Sequence, residues 1–247
     1  MTFREETGAV EHFAQPRLPE RDGRVPPSAT VARVMLRPIG SSLPLGAFAL
    51  VPSGLLLAGA QLGWFSTTDQ KMIPFLLLGL AVPLMLVASI LGFLGRDALV
   101  GTGFGIFAGT WLAYSIASLQ GPPGRVSHAM GVFFLAIAAI FVMLTGGGLA
   151  GGKAAAGAII LAASARFILS GLYELTSSKG LEHAAGIVGL VFVAVAAYVG
   201  FASLMEDSAR RTLLPLGRRG GARSAFASGL DAQLDELEHE AGVREQL

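Results

Sequence analysis

Cysteine is absent from this 247-residue chain, and its absence excludes disulfide bridges, thiolate metal sites and cysteine nucleophiles. Charge is scarce as well: charged residues make up 14% of the chain, and the net charge is +1. A nucleic-acid partner requires a basic surface that a chain of this charge does not provide. We therefore expect no nucleic-acid partner, and nothing in the charge balance favours an acidic substrate.

The common catalytic motifs are also missing. The sequence contains no HExxH, no GxSxG and no glycine-rich phosphate loop ending in Lys-Ser/Thr. The histidines are expected in an N-terminal arm, in turns and in a tail, where they cannot meet at a metal ion; they are His12, His128, His183 and His239. We expect no enzyme, no cofactor and no metal site, and an intramembrane enzyme ranks last among the functions considered.

Six apolar stretches are the feature that the sequence does have, with a mean hydropathy of +0.62 over the chain. A helix needs about 20 apolar residues to cross a hydrocarbon core of ~30 Å, and only a helix or a closed barrel satisfies its backbone there. The sequence predicts an all-α membrane protein, a bundle of six transmembrane helices. The predicted spans are Leu43–Phe65, Met72–Gly95, Leu99–Leu119, Ala129–Leu149, Ala154–Leu175 and Ala184–Met205.

The positive charges are distributed unevenly between the segments that connect these spans. With the N-terminus inside, the inner segments hold 14 Lys and Arg residues and the outer turns hold 3. The positive-inside rule then predicts a multi-pass protein of the cytoplasmic (inner) membrane with both termini in the cytoplasm. Residues 1–42 are polar and lack an apolar core, so we expect no signal peptide.

Three regions follow from the composition. Residues 1–37 are predicted to be a disordered cytoplasmic arm, residues 38–217 a six-helix transmembrane domain, and residues 218–247 a cytoplasmic tail. The basic stretch 209–223 would lie beside anionic lipid headgroups. An apolar stripe in the tail predicts a short amphipathic helix; it consists of Leu230, Leu234, Leu237 and Ala241. This helix forms a small coiled coil, docks a cytosolic partner, or frays in solvent.

Glycine recurs at a spacing of four in two spans. Gly101, Gly105 and Gly109 line one face of the third span, and Gly59 and Gly63 repeat the spacing at the end of the first. Small residues at this spacing let two helices approach closely within a bilayer. We expect both faces to be sites of close packing, which generic helix packing alone would explain.

Arg166 is the one ionisable residue near the middle of a predicted span. An ionisable group at that depth is costly, so its side chain should face the bundle interior or water. Glu174 lies eight residues further, ~12 Å along the axis, which is too far for a direct ion pair. Arg166 therefore either binds backbone carbonyls and water, or binds an anion in a central path that it lines together with Ser170.

Two serines precede the first span. Ser41 and Ser42 stand where a helix N-terminus offers free N–H groups and a partial positive charge to a carboxylate. The alternative is an ordinary N-cap, which stabilises a helix by about 1 kcal/mol. The sequence alone favours the cap.

Three segments resemble the acetate uptake transporter family. SSLPLGAF resembles the NPAPLGL signature of that family, DALVGTGFGIFAGTWL is similar to its GNTFG-x-TAFTSYG-x-FW segment, and RRTLLPLG is similar to its RT-x-LP-x-G ending. The resemblance covers approximately residues 38–217. It implies a six-helix protomer with its own pore, assembled into a ring that is typically a homohexamer, which passes small monocarboxylates such as acetate and also succinate.

The resemblance also assigns residues. The matching positions in the three motifs are Pro44, Leu45, Gly46, Gly103, Phe104, Trp111, Arg211, Thr212, Leu214, Pro215 and Gly217. The chain departs from the signature at Ser41, Ser42 and Leu43, which replace Asn-Pro-Ala. Leu50 falls on the constricting aromatic of the family, and Phe107 falls on its third-span tyrosine, so we expect a hydrophobic gate at these two side chains.

The predicted function is passage of a small organic anion across the membrane. The predicted pore and substrate-binding residues are Ser41, Ser42, Pro44, Leu45, Gly46, Leu50, Phe104, Phe107, Trp111, Arg166 and Ser170. The alternative is a structural or accessory membrane protein that keeps the ring but does not transport, which the altered signature and the long amphipathic tail both favour.

Overall fold

A computed structural model of the protein describes residues 40–209 and 211–220. Six helices in these ranges are long and apolar enough to cross a membrane, so the six predicted spans are confirmed. They are α1 (Leu43–Gln61), α2 (Thr67–Leu94), α3 (Ala98–Leu119), α4 (His128–Ala150), α5 (Ala154–Thr176) and α6 (Lys179–Ala209). The predicted arm and residues 221–247 of the predicted tail lie outside the described residues.

Helix α1 ends four residues before the predicted boundary, and Gly63 causes the difference. Gly63 follows the last turn with φ +75°, in the left-handed region that glycine adopts without strain. The N–H of Trp64 then reaches back to the carbonyl of Gly59 at 2.9 Å, which closes a Schellman motif. The prediction that Gly63 continues a helix-packing face was wrong, because Gly63 ends the helix.

Helix α6 is longer at both ends than predicted, with 31 residues. It begins at Lys179 instead of Ala184 and ends at Ala209 instead of Met205. The extension takes in Glu206, which lies just beyond the predicted sixth span. Glu206 is a buried residue of the helix, with 1% of its surface exposed.

Helix α2 is built from four consecutive segments, Thr67–Gln70, Ile73–Leu76, a π-helical Leu77–Ala81 and Val82–Leu94. Ser66 and Asp69 form a capping box at its start, since each side chain accepts from the other residue's N–H. The π-helical turn holds one residue more than an α-helical turn. Buried residues on both sides of this turn therefore share one face of the helix.

The helices form a closed ring. Helices α4 and α5, α1 and α6, α2 and α3, and α5 and α6 make the most extensive contacts, while α1 with α2 and α3 with α4 make smaller ones. Each helix thus packs against its neighbours in sequence, and the last packs against the first. This arrangement leaves one central axis to which all six helices contribute.

The closest crossing joins α2 and α3. A Cβ added to Gly92 would lie 2.7 Å from the backbone nitrogen of Gly101, and Ser89 Oγ donates to the Gly101 carbonyl at 2.6 Å. A Cβ on Gly105 would lie 2.9 Å from Ser89 Oγ. Gly109 has no atom within 4 Å of such a Cβ, so the predicted packing face includes Gly101 and Gly105 but not Gly109.

Gly92→Ala is expected to destabilise the protein by about 1–3 kcal/mol, because the new methyl group overlaps a backbone that has no rotamer to change. Gly109→Ala is the matched control. It adds the same methyl group into open space, and it should be neutral or stabilising by up to about 1 kcal/mol. Thermal unfolding of both variants in detergent measures the difference. Equal melting temperatures would show that α2 and α3 are not in close contact.

The outer surface of the bundle is apolar. Large side chains with more than half of their surface exposed occur on several helices, including Phe75, Ile90, Val132, Met143 and Ile187. A water-soluble monomer rarely exposes so much contiguous apolar surface. This surface is suited to contact with lipid chains.

Candidate functional site

A cavity of about 780 Å³ enters the bundle at the side where α1, α3 and α5 end. Its wall includes Gln61, Gln120 and Glu174 from the ends of these helices. Trp111, Arg166, Phe167 and Ser170 belong to the same wall, about one to three turns further into α3 and α5. The structure therefore brings three predicted site residues, Trp111, Arg166 and Ser170, together around one cavity.

Arg166 is buried, with 3% of its surface exposed. Its Nη1 donates to the Gly54 carbonyl at 3.3 Å, and its Nη2 donates to Gln61 Oε1 at 3.2 Å. The guanidinium carbon lies 6.0 Å from the centre of the Trp111 ring. Of its five N–H groups, three make no hydrogen bond to any described residue, and no carboxylate in the described ranges forms a salt bridge with it.

Gln61 connects the guanidinium to Ser170. Its Oε1 accepts from Arg166, while its Nε2 donates to Ser170 Oγ at 3.0 Å. The amide fixes Arg166 from α1 and leaves the Ser170 hydroxyl hydrogen available as a donor. Sequence reasoning missed Gln61, although a polar residue near the end of an apolar span was a signal.

Gly189 gives the guanidinium its space. A Cβ at this position in α6 would lie 3.3 Å from Arg166 Cζ and 3.0 Å from the Ala58 methyl group. Any larger residue would push the guanidinium away from α6 or separate α1 from α6. Sequence reasoning missed Gly189 too, because its spacing resembles that of many other glycines in the spans.

Below the cavity, aromatic rings close the central axis. Phe107 from α3 packs against Phe141 of α4 at 4.6 Å between ring centres, Phe192 of α6 at 5.8 Å and Phe167 of α5 at 6.3 Å. Leu50 of α1 is fully buried in the same core. We call Leu50, Phe107, Phe141, Phe167 and Phe192 the central plug; it contains the two side chains expected to form a gate.

The family-like signature lies beyond the plug, at the opposite side of the bundle. Ser42 is the N-cap of α1 but its side chain makes no capping bond, and Ser41 Oγ accepts from the Leu43 N–H at 3.3 Å. Pro44 stands in the first turn, and a Cβ on Gly46 would overlap the Phe104 ring. The residues packed here, with Leu45 half-buried, surround a space of about 20 Å³, lined by Leu43, Leu99, Val100, Gly103, Phe104, Phe107, Ala156, Ile159 and Ile160.

The chain after α6 folds back over this side. Arg218 Nη1 donates to Glu206 Oε1 at 3.0 Å, and its Nη2 lies 2.8 Å from Glu206 Oε2 without hydrogen-bond alignment. Thr212 Oγ1 donates to the same carboxylate at 2.8 Å. The Leu216 carbonyl accepts from the Ala155 N–H at 3.2 Å. We call residues 211–220 the return segment; it is fastened to both α5 and α6.

The rim of the large cavity carries both signs of charge. The Glu174 carboxylate accepts from the Ser127 N–H at 2.6 Å, and Glu182 forms a salt bridge with Lys179 at 2.7 Å. The cationic side chains on the wall there, Lys71 and Arg125, are exposed to solvent, where screening weakens them. Arg166 is the one buried cation of the wall.

This arrangement of helices is found in a solved structure. The bacterial acetate channel SatP superposes with a TM-score of 0.62 and 19% identity, over 72% of this chain and 99% of that one. The two proteins share one fold. No protein-family profile matches the chain, and no curated protein matches it by sequence.

The SatP likeness confirms the six-helix fold that the resemblance implied. The roles of the predicted site residues remain predictions. The structure places these residues at three levels along the axis: the signature residues and Phe104 on one side, Leu50 and Phe107 in the central plug, and Trp111, Arg166 and Ser170 at the large cavity.

Proposed function

We propose that the protein is a membrane channel that passes small monocarboxylates, with acetate as the reference substrate, through a pore within each protomer, and that the dicarboxylate succinate is a secondary substrate. The observation that carries this proposal is Arg166, a buried cation at a large cavity with no acidic partner in the described chain. A buried charge that lacks a counter-ion is costly. An anion that enters the cavity supplies the missing charge in a low-dielectric site, where its attraction to Arg166 is strong.

The path follows the axis of the ring. An anion enters the cavity, binds beside Arg166 and Ser170, passes the central plug and leaves through the small space at Phe104. The plug consists of apolar side chains, so it would gate the path by excluding water until the rings move apart. Among the described residues, no carboxylate lies at the depth of Arg166. This favours a channel over a transporter that relays protons through a carboxylate.

The assembly belongs to the same proposal. We infer a ring-shaped homo-oligomer, a hexamer, in the inner membrane with both termini in the cytoplasm. The apolar outer surface supports contact with lipid and with neighbouring protomers. The excess of Lys and Arg in the segments on the side of the termini supports the orientation. A cytosolic partner of the tail predicted from the sequence is part of this proposal.

Flux into proteoliposomes tests the function. Purified protein in vesicles should accumulate labelled acetate well above protein-free vesicles, and unlabelled monocarboxylates should compete. Vesicles that contain the heat-inactivated protein are the control. Flux equal to this control for acetate, succinate and larger monocarboxylates would contradict the proposal.

A second candidate function is a structural or accessory membrane protein. The central plug favours it, because tightly packed rings leave no open path along the axis. Phe107→Ala separates the two functions. In a gated channel the smaller side chain should raise basal flux, while in a protein that never conducts the variant should lower only stability, by about 3–5 kcal/mol.

A further inference from the structure

We propose that the large cavity binds monocarboxylates whose apolar part is the size of a six-membered ring, in preference to acetate. This inference rests on the proposed function, since it concerns the ligand that pairs with Arg166. The ligands belong to one chemical class, in which a single carboxylate is attached to a bulky apolar group.

The size of the cavity is the first argument. About 780 Å³ falls within the range of cavities that hold drug-sized ligands, ~300–1,000 Å³. Acetate has one methyl group and would leave most of this space to water. A ring-sized ligand would displace that water from the apolar part of the wall, which stabilises the complex.

The chemistry of the wall is the second argument. The Trp111 ring lies beside the guanidinium, Phe167 packs against Trp111 at 5.7 Å between ring centres, and Phe134 lies 5.6 Å from Phe167, so three aromatic rings of the wall form one connected group next to Arg166. Further apolar side chains belong to the wall, among them Leu57, Ile73 and Met130, beside polar ones such as Gln61 and Ser118. A carboxylate on Arg166 thus places whatever is attached to it against aromatic and aliphatic groups. Each CH₂ group buried there contributes about four-fold in affinity.

The charged residues of the cavity wall favour a ligand with a single carboxylate. Arg166 has three N–H groups to offer, enough for one bidentate carboxylate. A second carboxylate would lie among the apolar side chains or near Glu174 and Glu182 on the same wall. The cations of the rim are exposed and attract it weakly. Dicarboxylates should therefore bind less well than a monocarboxylate of equal size.

The chain provides its own reporter for a binding measurement. It contains two tryptophans, Trp64 and Trp111. Trp64 is 55% exposed and lies outside the cavity wall, whereas Trp111 lies 6.0 Å from the Arg166 guanidinium. Trp64→Phe leaves Trp111 as the sole indole, so its fluorescence reports occupancy beside Arg166 without any measurement of transport.

Titration of the Trp64→Phe protein with cyclohexanecarboxylate, acetate, succinate and cyclohexanol tests the inference. We expect a Kd for cyclohexanecarboxylate at least ten-fold below that for acetate. Succinate should bind more weakly than cyclohexanecarboxylate, and cyclohexanol, which lacks the carboxylate, should show no saturation. Introducing Arg166→Gln into the Trp64→Phe protein should raise the Kd for cyclohexanecarboxylate at least ten-fold. A ratio of acetate to cyclohexanecarboxylate below ten, or binding unchanged by Arg166→Gln in a folded protein, would overturn the inference.

The four-ligand comparison needs no variant at Arg166, so it stands if Arg166→Gln fails to fold. It also separates this inference from the proposed function. Tight binding of cyclohexanecarboxylate without flux of any anion would refute the channel and support the cavity. Acetate flux without the ten-fold preference would support the channel and refute the assigned class of ligand.

Discussion

Replacing Arg166 with glutamine is expected to reduce anion flux about 100-fold while the protein remains folded. The glutamine side chain keeps an N–H donor, but it is shorter than arginine and carries no charge. Charged hydrogen bonds contribute about 1.5–3 kcal/mol each, and loss of the attraction in a buried site adds to this. The measurement is labelled-anion flux into proteoliposomes, with thermal unfolding and gel filtration of the same preparation.

Arg166→Lys is the control for charge alone. Lysine keeps the positive charge but offers a point donor instead of a planar fork, so part of the flux should remain. If Arg166 only joins α1 to α5, through Gly54 and Gln61, both variants should lose stability and flux in parallel. A folded Arg166→Gln protein with full flux would refute the role of this residue as the anion site.

Replacing Arg218 with methionine is expected to destabilise the protein by about 3–5 kcal/mol. The change removes the cation from Glu206, which is 1% exposed, and leaves a buried carboxylate that accepts from the Thr212 hydroxyl without a positive charge beside it. Breaking a buried ion pair from one side has this cost because the other charge stays buried. Thermal unfolding in detergent measures it.

Arg219→Met is the matched control for Arg218→Met. It removes the same charge from the adjacent, exposed position, whose backbone N–H binds the Gly152 carbonyl and is unaffected. The control should change stability by less than about 0.5 kcal/mol. Equal effects of the two substitutions would show that the Glu206 pair does not hold the return segment.

Hydropathy predicted the six helices because a bilayer leaves the backbone of an apolar stretch no alternative to a helix. It predicted their ends less well. Hydropathy ends the last span at Met205, just before Glu206, since a carboxylate inside a span is costly. The structure buries it because Arg218, twelve residues further along the chain, returns to neutralise it. Contacts of this kind depend on the path of the chain after the helix, which hydropathy does not contain.

The charged part of the candidate site was predictable from the sequence. Arg166 is conspicuous in an apolar span, and its helical spacing leads to Ser170. Gln61 and Gly189 belong to the site because they contact Arg166 from other helices. Gln61 Oε1 lies 3.2 Å from Arg166 Nη2, and a methyl group added at Gly189 would lie 3.3 Å from Arg166 Cζ. Neither distance follows from periodicity in one helix. The separation of the signature residues from Arg166 by the central plug was not predicted either.

The π-helical turn Leu77–Ala81 has a consequence for the length of α2. In an α-helix each step of four residues overshoots a full turn by about 40°, so a contact row spaced by fours winds around the helix. The wide turn absorbs one residue and cancels part of that winding. The number of residues in this turn therefore fixes the rotation of the C-terminal part of α2 relative to its N-terminal part. Loss of one residue from the turn would rotate Gly92 by about 100° away from α3. The second helix tolerates substitutions on its lipid face far better than a change in its residue count.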